Sequence, residues 1–168
     1  MPTSTNRTKW PTTGGAIALQ PGWFAGHGKA FFYMNMGLGT IPSNMSHVMV
    51  PPFQIVGPTA DPWPGSFCLP QVPLPANVTV NVGDNATIQV IETAVHGASL
   101  YNCVDITFAA PGDSDIVEVT PDNCFNSSDI AFNLVFTTTQ LTSGAGARTG
   151  TYSFASMVVA GLMACFLI

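Results

Sequence analysis

The sequence predicts an all-β protein, an antiparallel β-sandwich with long loops, on three observations. Fourteen prolines and sixteen glycines divide its 168 residues into short apolar runs. The run Thr87–Glu92 alternates apolar and polar residues in part, and Val104–Phe108 alternates cleanly, as half-buried strands do. No stretch before the apolar C-terminal tail shows a helical period, so short strands joined by turns are the expected architecture.

The apolar runs predict seven strands in chain order, namely Ala16–Leu19, Ala30–Met34, Phe53–Val56, Val78–Val82, Thr87–Glu92, Asn102–Phe108 and Ile130–Thr137. Turn dipeptides such as Gly83-Asp84 and Pro111-Gly112 separate them. The proline-rich segment Pro51–Pro75 is predicted to be a long ordered loop pinned by Cys68. Together these elements form one domain, residues 1–138, because a chain of this length is too short for two cores.

The C-terminal residues have the order of a glycosylphosphatidylinositol (GPI) anchor signal. Residues 139–153 form a polar stalk with small residues for lipid attachment at Ser143 or Gly144. Residues 154–168 form an apolar tail of 15 residues, which is predicted to be a hydrophobic helix. A membrane-spanning helix needs about 20 residues. We therefore expect the tail to be cleaved and the protein to be anchored by lipid on the outer face of the plasma membrane or in the cell wall.

Glycosylation sequons support export from the cell. Five Asn-x-Ser/Thr sequons occur, at Asn6, Asn44, Asn77, Asn85 and Asn126. Residues 1–12 are polar and contain no apolar core of a signal peptide. We therefore expect the natural protein to have an upstream segment that carries the export signal.

The cysteine count also predicts a missing partner. Cys165 lies in the apolar tail, which leaves Cys68, Cys103 and Cys124, an odd number for an oxidising compartment. One disulfide can form among them, and the sequence leaves its pairing open. The third thiol is free, intermolecular or paired with an upstream cysteine.

The low charge excludes one class of function. Only 8% of residues are charged, the net charge is −5, and Lys and Arg together number four. Nucleic-acid binding is excluded because it needs a cationic surface. Zinc-protease, phosphate-loop and serine-hydrolase motifs are also absent from the sequence, so nothing marks a hydrolase.

Several residues are candidate metal ligands. His27 lies between glycines, and His96 precedes Gly97; both are also compatible with ordinary turns. In Met45-Ser-His47-Val-Met49 an extended chain would point two thioethers and an imidazole to one side, a donor set that suits copper, although methionines also fill packing gaps. Met34 and Met36 add a second pair at the same spacing.

Asp105 is the remaining candidate. It lies within Cys103–Phe108 and is predicted to share a face with Cys103 and Thr107, opposite Val104, Ile106 and Phe108. A solvent-facing carboxylate is the alternative interpretation.

Five blocks of sequence resemble one family. They are Trp10–Gly15, Leu19–His27, Pro51–Pro58, Gly65–Pro75 and His96–Phe108. They are similar to the fungal copper acquisition factors, which are GPI-anchored relatives of the lytic polysaccharide monooxygenases. The resemblance covers residues 3–135.

This resemblance implies an immunoglobulin-like or fibronectin-like β-sandwich that holds one copper ion. In the family a histidine brace binds the metal through the amine and imidazole of the mature N-terminal histidine and through a second histidine, and an aspartate completes the site. The second histidine maps to His27, with His96 as the alternative, and the aspartate maps to Asp105. The N-terminal histidine is expected in the upstream segment, so this chain by itself provides only part of the brace.

The implied function is copper acquisition without enzymatic activity. The protein would hold copper at the cell surface and present it to a plasma-membrane copper transporter. Two alternatives are a copper oxidase that acts on cell-wall polysaccharide and a structural wall glycoprotein without metal.

Overall fold

A computed structural model describes residues 5–21, 26–57, 65–128 and 130–134, and every regular element in these ranges is a β-strand. The strands are β1 Thr8–Pro11, β2 Gly15–Leu19, β3 Lys29–Leu38, β4 His47–Val56, β5 Phe67–Val72, β6 Asn85–Ala94, β7 Ser99–Ala109 and β8 Ala131–Leu134. The all-β prediction is confirmed. The described residues include no helix of the length and hydropathy that a membrane span requires. The stalk, the lipid-attachment residues Ser143 and Gly144 and the apolar tail lie outside these ranges and stay predictions.

The strands form a six-stranded sheet and a two-stranded sheet. The large sheet has the order β1-β7-β6-β3-β4-β8, and β2 pairs with β5 in the small one. Neighbouring strands are antiparallel except at one edge, where β1 runs parallel to β7. The prediction of purely antiparallel pairing is wrong at this edge. The chain leaves β1 for the small sheet and does not return through a hairpin, so β1 is free to take the direction of β7.

Five predicted strands lie within observed strands, and Ile130–Thr137 overlaps β8, with its residues 135–137 outside the described ranges. Three corrections are needed. Val78–Val82 is not a strand, since it lies between turns at residues 76–77 and 82–83. The predicted loop Pro51–Pro75 contains the end of β4 and all of β5. Strand β4 tolerates its two prolines because the β3–β4 pairing passes from Met34↔Val50 to Phe32↔Phe53, which leaves Pro51 and Pro52 out of the ladder. The sequence also gave no prediction of β1.

One hydrophobic core joins the two sheets. The even-numbered residues of β6 alternate inward, so Ala86, Ile88, Val90, Glu92 and Ala94 are all buried. From the small sheet the ring of Phe67 packs against Phe32 at 5.0 Å and Phe53 at 5.9 Å between centroids. The opposite face of the large sheet carries the odd-numbered residues of β6 and their partners, and we call it the outer face.

The disulfide pairing that the sequence left open is Cys68–Cys124. It ties β5 to the loop that follows β7. The backbone N–H of Ser127 donates to the Ser66 carbonyl at 2.8 Å, and Asn126 Oδ1 accepts from the Cys68 N–H at 2.9 Å, so the same connection is hydrogen-bonded. Cys103 is a half-buried free thiol.

Arg7 fastens the start of β1 to the large sheet. Its Nη1 donates to the carbonyls of Ala86 at 3.1 Å and Ile106 at 3.2 Å, and its Nη2 donates to the Thr40 carbonyl at 2.8 Å. One guanidinium thus connects β6, β7 and the β3–β4 loop. Because an arginine presents its donors in a rigid fork, it can serve all three carbonyls at once.

We expect Arg7→Ala to lower the free energy of unfolding by about 2 kcal/mol, since hydrogen bonds from a charged donor contribute roughly 1.5–3 kcal/mol. Urea denaturation followed by tryptophan fluorescence measures the change. Lys9→Ala is the matched control, because Lys9 lies two residues further along and makes no side-chain hydrogen bond within the described residues. Equal effects of the two substitutions would contradict this role of Arg7.

Candidate metal centre

A buried histidine and a buried glutamate meet at one end of the large sheet. His27 Nδ1 and Glu92 Oε1 lie 2.6 Å apart, and the residues are 3% and 7% exposed. His27 lies two residues before the start of β3, whereas Glu92 lies on β6, the neighbour of β3 in the sheet. At this distance the two side chains form a short hydrogen bond, which is how buried polar groups are normally satisfied.

Glu92 was not among the site residues predicted from the sequence. It follows Ala86, Ile88 and Val90 in the inward-facing row of β6 and is paired with Phe32 on β3. A carboxylate within an apolar row of alternating residues is costly to bury without a partner. That row was the available signal, because a Glu in register with core residues needs a partner such as His27.

His96 brings a second imidazole to the same place. It lies in the turn between β6 and β7, and its ring is 5.2 Å from the His27 ring between centroids, in an edge-to-face arrangement. The Val95 N–H donates to the Gly26 carbonyl at 3.2 Å, which ties this turn to the residue before His27. His27 is buried whereas His96 is exposed, so the pair connects the sheet interior to solvent.

Gly26 permits the close approach of the two histidines. A Cβ at this position would lie 2.6 Å from His96 Cδ2, and the backbone φ of Gly26 is +91°. Both facts require glycine, because other residues adopt this φ with strain and would push the imidazole away. Glycines flank His27 in the sequence, and in the structure one of them, Gly26, leaves room for the His96 ring.

The donor chemistry of this cluster fits part of a copper site. Imidazole suits copper, and a metal-binding histidine commonly donates its other ring N–H to a carboxylate, which fixes the ring orientation. The His27–Glu92 pair has this form. Within the described ranges, however, no three His, Cys, Asp or Glu side chains are arranged to hold one metal ion. The cluster therefore supplies two candidate nitrogen ligands and an orienting carboxylate.

Asp105 lies away from this cluster. Its Oδ1 accepts a hydrogen bond from Thr87 Oγ1 at 2.6 Å, and Asp105 is the direct partner of Thr87 in the β6–β7 ladder. Thr87 is five residues from Glu92 along β6, so the two carboxylates are on opposite faces and about 16 Å apart along the strand. The face predicted for Asp105 agrees with this register. Its role as a ligand stays a prediction, and Glu92 is the carboxylate that contacts His27.

The other predicted residues are spread over the domain. His47 begins β4, and Met45 and Met49 lie on either side of it.

The sequon residues Asn6, Asn44, Asn77 and Asn126 are exposed, whereas Asn85 is half-buried and donates to Thr40 Oγ1 at 2.9 Å. Four sequons are thus accessible in the folded domain.

We expect Gly26→Ala to displace the His96 ring without unfolding the protein, because an exposed side chain can swing away from the new Cβ. Gly39→Ala is the matched control, since its φ is +93° and a Cβ there meets nothing within 4 Å. Both substitutions should cost about 1–2 kcal/mol of backbone strain. Only Gly26→Ala should shift the imidazole resonances of His96 and His27 in NMR spectra. Unshifted resonances would contradict the contact.

The comparisons with known proteins agree on one family. The sequence model of the family described as "Copper acquisition factor BIM1-like" matches residues 1–129. The chain is 66% identical over 163 residues to the Aspergillus fumigatus "Lytic polysaccharide monooxygenase-like protein X325", a match that covers 97% of this chain and 67% of the relative. A lytic polysaccharide monooxygenase-like protein of Emericella nidulans is 60% identical, with 95% and 64% covered.

A third relative, the Neurospora crassa "Lytic polysaccharide monooxygenase-like protein ham-7", is 56% identical over 144 residues, with 83% of this chain and 63% of the relative covered. The chain thus spans about two thirds of the length of these relatives. No solved structure matches it. Because the family match covers most of the chain and agrees with several close relatives, this protein belongs to the BIM1-like copper acquisition factor family.

Proposed function

We propose that this protein binds copper at the fungal cell surface and presents it to a plasma-membrane copper importer, without acting as an enzyme. The observation that carries the proposal is the buried His27–Glu92 pair with His96 in edge contact, in a chain of the copper acquisition family. The scaffold is an immunoglobulin-like or fibronectin-like sandwich.

In this proposal copper is cargo, and the residues of this chain supply part of its binding site. His27 provides an imidazole nitrogen, and Glu92 holds the ring in one orientation. His96 is the more accessible imidazole, so it suits the entry and exit of the ion. The amine and imidazole of an N-terminal histidine, which the family resemblance implies, would complete the brace. Three nitrogens in one plane select cupric copper.

The proposed cell-surface location is supported by the GPI signal in the sequence and by the exposure of the sequon residues. The GPI signal, with attachment at Ser143 or Gly144, would hold the domain outside the cell. Four exposed sequons fit passage through the secretory pathway. A lipid tether concentrates a copper-binding domain near an importer in the same membrane, so a transfer partner would be encountered often even if the contact is weak.

Two substitutions test which residues bind cupric copper. In the full-length processed protein we expect His27→Ala to abolish tight Cu(II) binding, and Glu92→Gln to weaken it by about tenfold to a hundredfold, as loss of an orienting partner does. Asp105→Asn is the matched carboxylate-to-amide control on the outer face. Competition titration with a chelator gives the affinities. A larger loss in Asp105→Asn than in Glu92→Gln would assign the carboxylate role to Asp105 instead.

A deletion strain tests the physiological role. We expect slower growth and lower cell-associated copper when a copper chelator is present, with both restored by the wild-type gene and not by His27→Ala. Unchanged growth and copper content would contradict acquisition. Natively processed protein that contains no copper by elemental analysis would support a structural wall glycoprotein.

An oxidase that acts on wall polysaccharide is a second candidate, because the outer face exposes aromatic rings. Phe31, Tyr33 and Tyr101 are 37%, 38% and 60% exposed, and both tyrosines pair with Ile91. Exposed aromatic rings on one face of a sheet can stack on sugar rings. Oxidised oligosaccharides released from chitin or glucan by the copper-loaded protein and a reductant would support this candidate, and their absence would favour acquisition.

A further inference from the structure

A second group of soft metal donors lies where β3 and β4 pair. Met36 and His47 are direct partners in this antiparallel ladder. Side chains of direct partners project from the same face with Cβ atoms about 4.5–5.5 Å apart. Met36 is fully buried in the core, so the His47 ring faces the margin of that core and is half-buried.

A β-bulge adds a third donor to this group. The pairing runs Met34↔Val50, Asn35↔Val48 and Met36↔His47, which leaves Met49 without a partner on β3. A bulge of this kind redirects the extra side chain. Met49 is 5% exposed and belongs to the same core cluster as Met36. The thioethers of Met36 and Met49 therefore lie on the side of the sheet to which His47 points.

The position of Met45 separates it from this group. A Cβ on Gly37 would lie 2.6 Å from Met45 Sδ, and Gly37 pairs with Thr87 on the outer face. The sequence pattern Met45-x-His47-x-Met49 predicted that both methionines flank the histidine on one side. In the structure the methionine beside His47 is Met36 and not Met45. Met36 lies on the neighbouring strand β3, so its spacing from His47 in the sequence did not point to it.

Packing alone accounts for the buried methionines but not for the histidine. Within the described part of the chain the His47 ring makes no hydrogen bond or ion pair. This half-buried imidazole keeps its ring nitrogens available to a ligand. A site made of thioethers and an imidazole binds cuprous copper in preference to harder cations.

We propose that His47, Met36 and Met49 form a binding site for Cu(I). The site is separate from the His27 cluster. On β6, Met36 pairs with Ile88, whereas Phe32 pairs with Glu92. Ile88 and Glu92 are four residues apart, which is about 13 Å along a strand. The two sites differ in donor type as well, since the His27 cluster offers imidazole nitrogens, whereas this site offers two thioether sulfurs and one imidazole nitrogen. The Cu(I) site does not depend on the proposed acquisition function or on an N-terminal histidine.

The test is a Cu(I) titration of the full-length protein in a Cys103→Ser background, since the free thiol of Cys103 would itself bind Cu(I). Ascorbate maintains Cu(I) without reducing the Cys68–Cys124 disulfide, and a colorimetric Cu(I) chelator serves as competitor. We expect tight binding that falls at least tenfold in His47→Ala, Met36→Leu and Met49→Leu. Met45→Leu is the matched control and should bind as the parent does.

His27→Ala separates this proposal from the proposed function. It should lose Cu(II) and keep Cu(I) at the methionine site, whereas His47→Ala should show the reverse. Retention of Cu(I) affinity in both Met36→Leu and Met49→Leu would overturn the proposal. Should a leucine variant fail to fold, Ag(I) added to the parent protein with labelled methionine methyl groups replaces that readout. Shifts at Met36 and Met49 support the site, and shifts at neither reject it.

Discussion

The period-two alternation of β6 is the constraint on which the rest of this domain depends. Strand β6 lies between β3 and β7 in the six-stranded sheet, so its register decides what each neighbour presents to each face. One row of its side chains enters the core and includes Glu92, and the other row carries Thr87 to the outer face. A shift of one residue would exchange these faces and separate Glu92 from His27.

The buried His27–Glu92 pair follows from that register and shapes the site around it. A carboxylate in an apolar row needs a hydrogen-bond partner, and removal of the His27 ring would leave Glu92 buried and unsatisfied, at a cost on the order of 1–3 kcal/mol. The pair therefore fixes the segment before β3, and the Gly26 carbonyl then fixes the turn that carries His96. Structural stability and ligand orientation come from the same contact, so substitutions there need a binding readout in addition to a stability readout.

The two proposed copper sites lie toward opposite ends of β3. At the end where β3 begins, two imidazoles, one of them oriented by a carboxylate, offer nitrogen atoms, which suit cupric copper. Toward the other end, Met36, Met49 and His47 offer sulfur and one imidazole, which suit cuprous copper. Two sites with different donors would allow the protein to hold either oxidation state.

The sequence by itself determined the all-β class and the family and singled out His27 as a candidate ligand, because turn residues, alternation and family motifs are local properties of the chain. It predicted five strands within the bounds that the structure has, and it could not predict β1, whose parallel partner β7 lies about a hundred residues away. Tertiary structure alone decided the Cys68–Cys124 pairing, the choice of Glu92 over Asp105 beside His27, and the choice of Met36 over Met45 beside His47. The physical reason is the same in each case: strand register and bulges, which arise from packing between distant segments, set which side chains share a face.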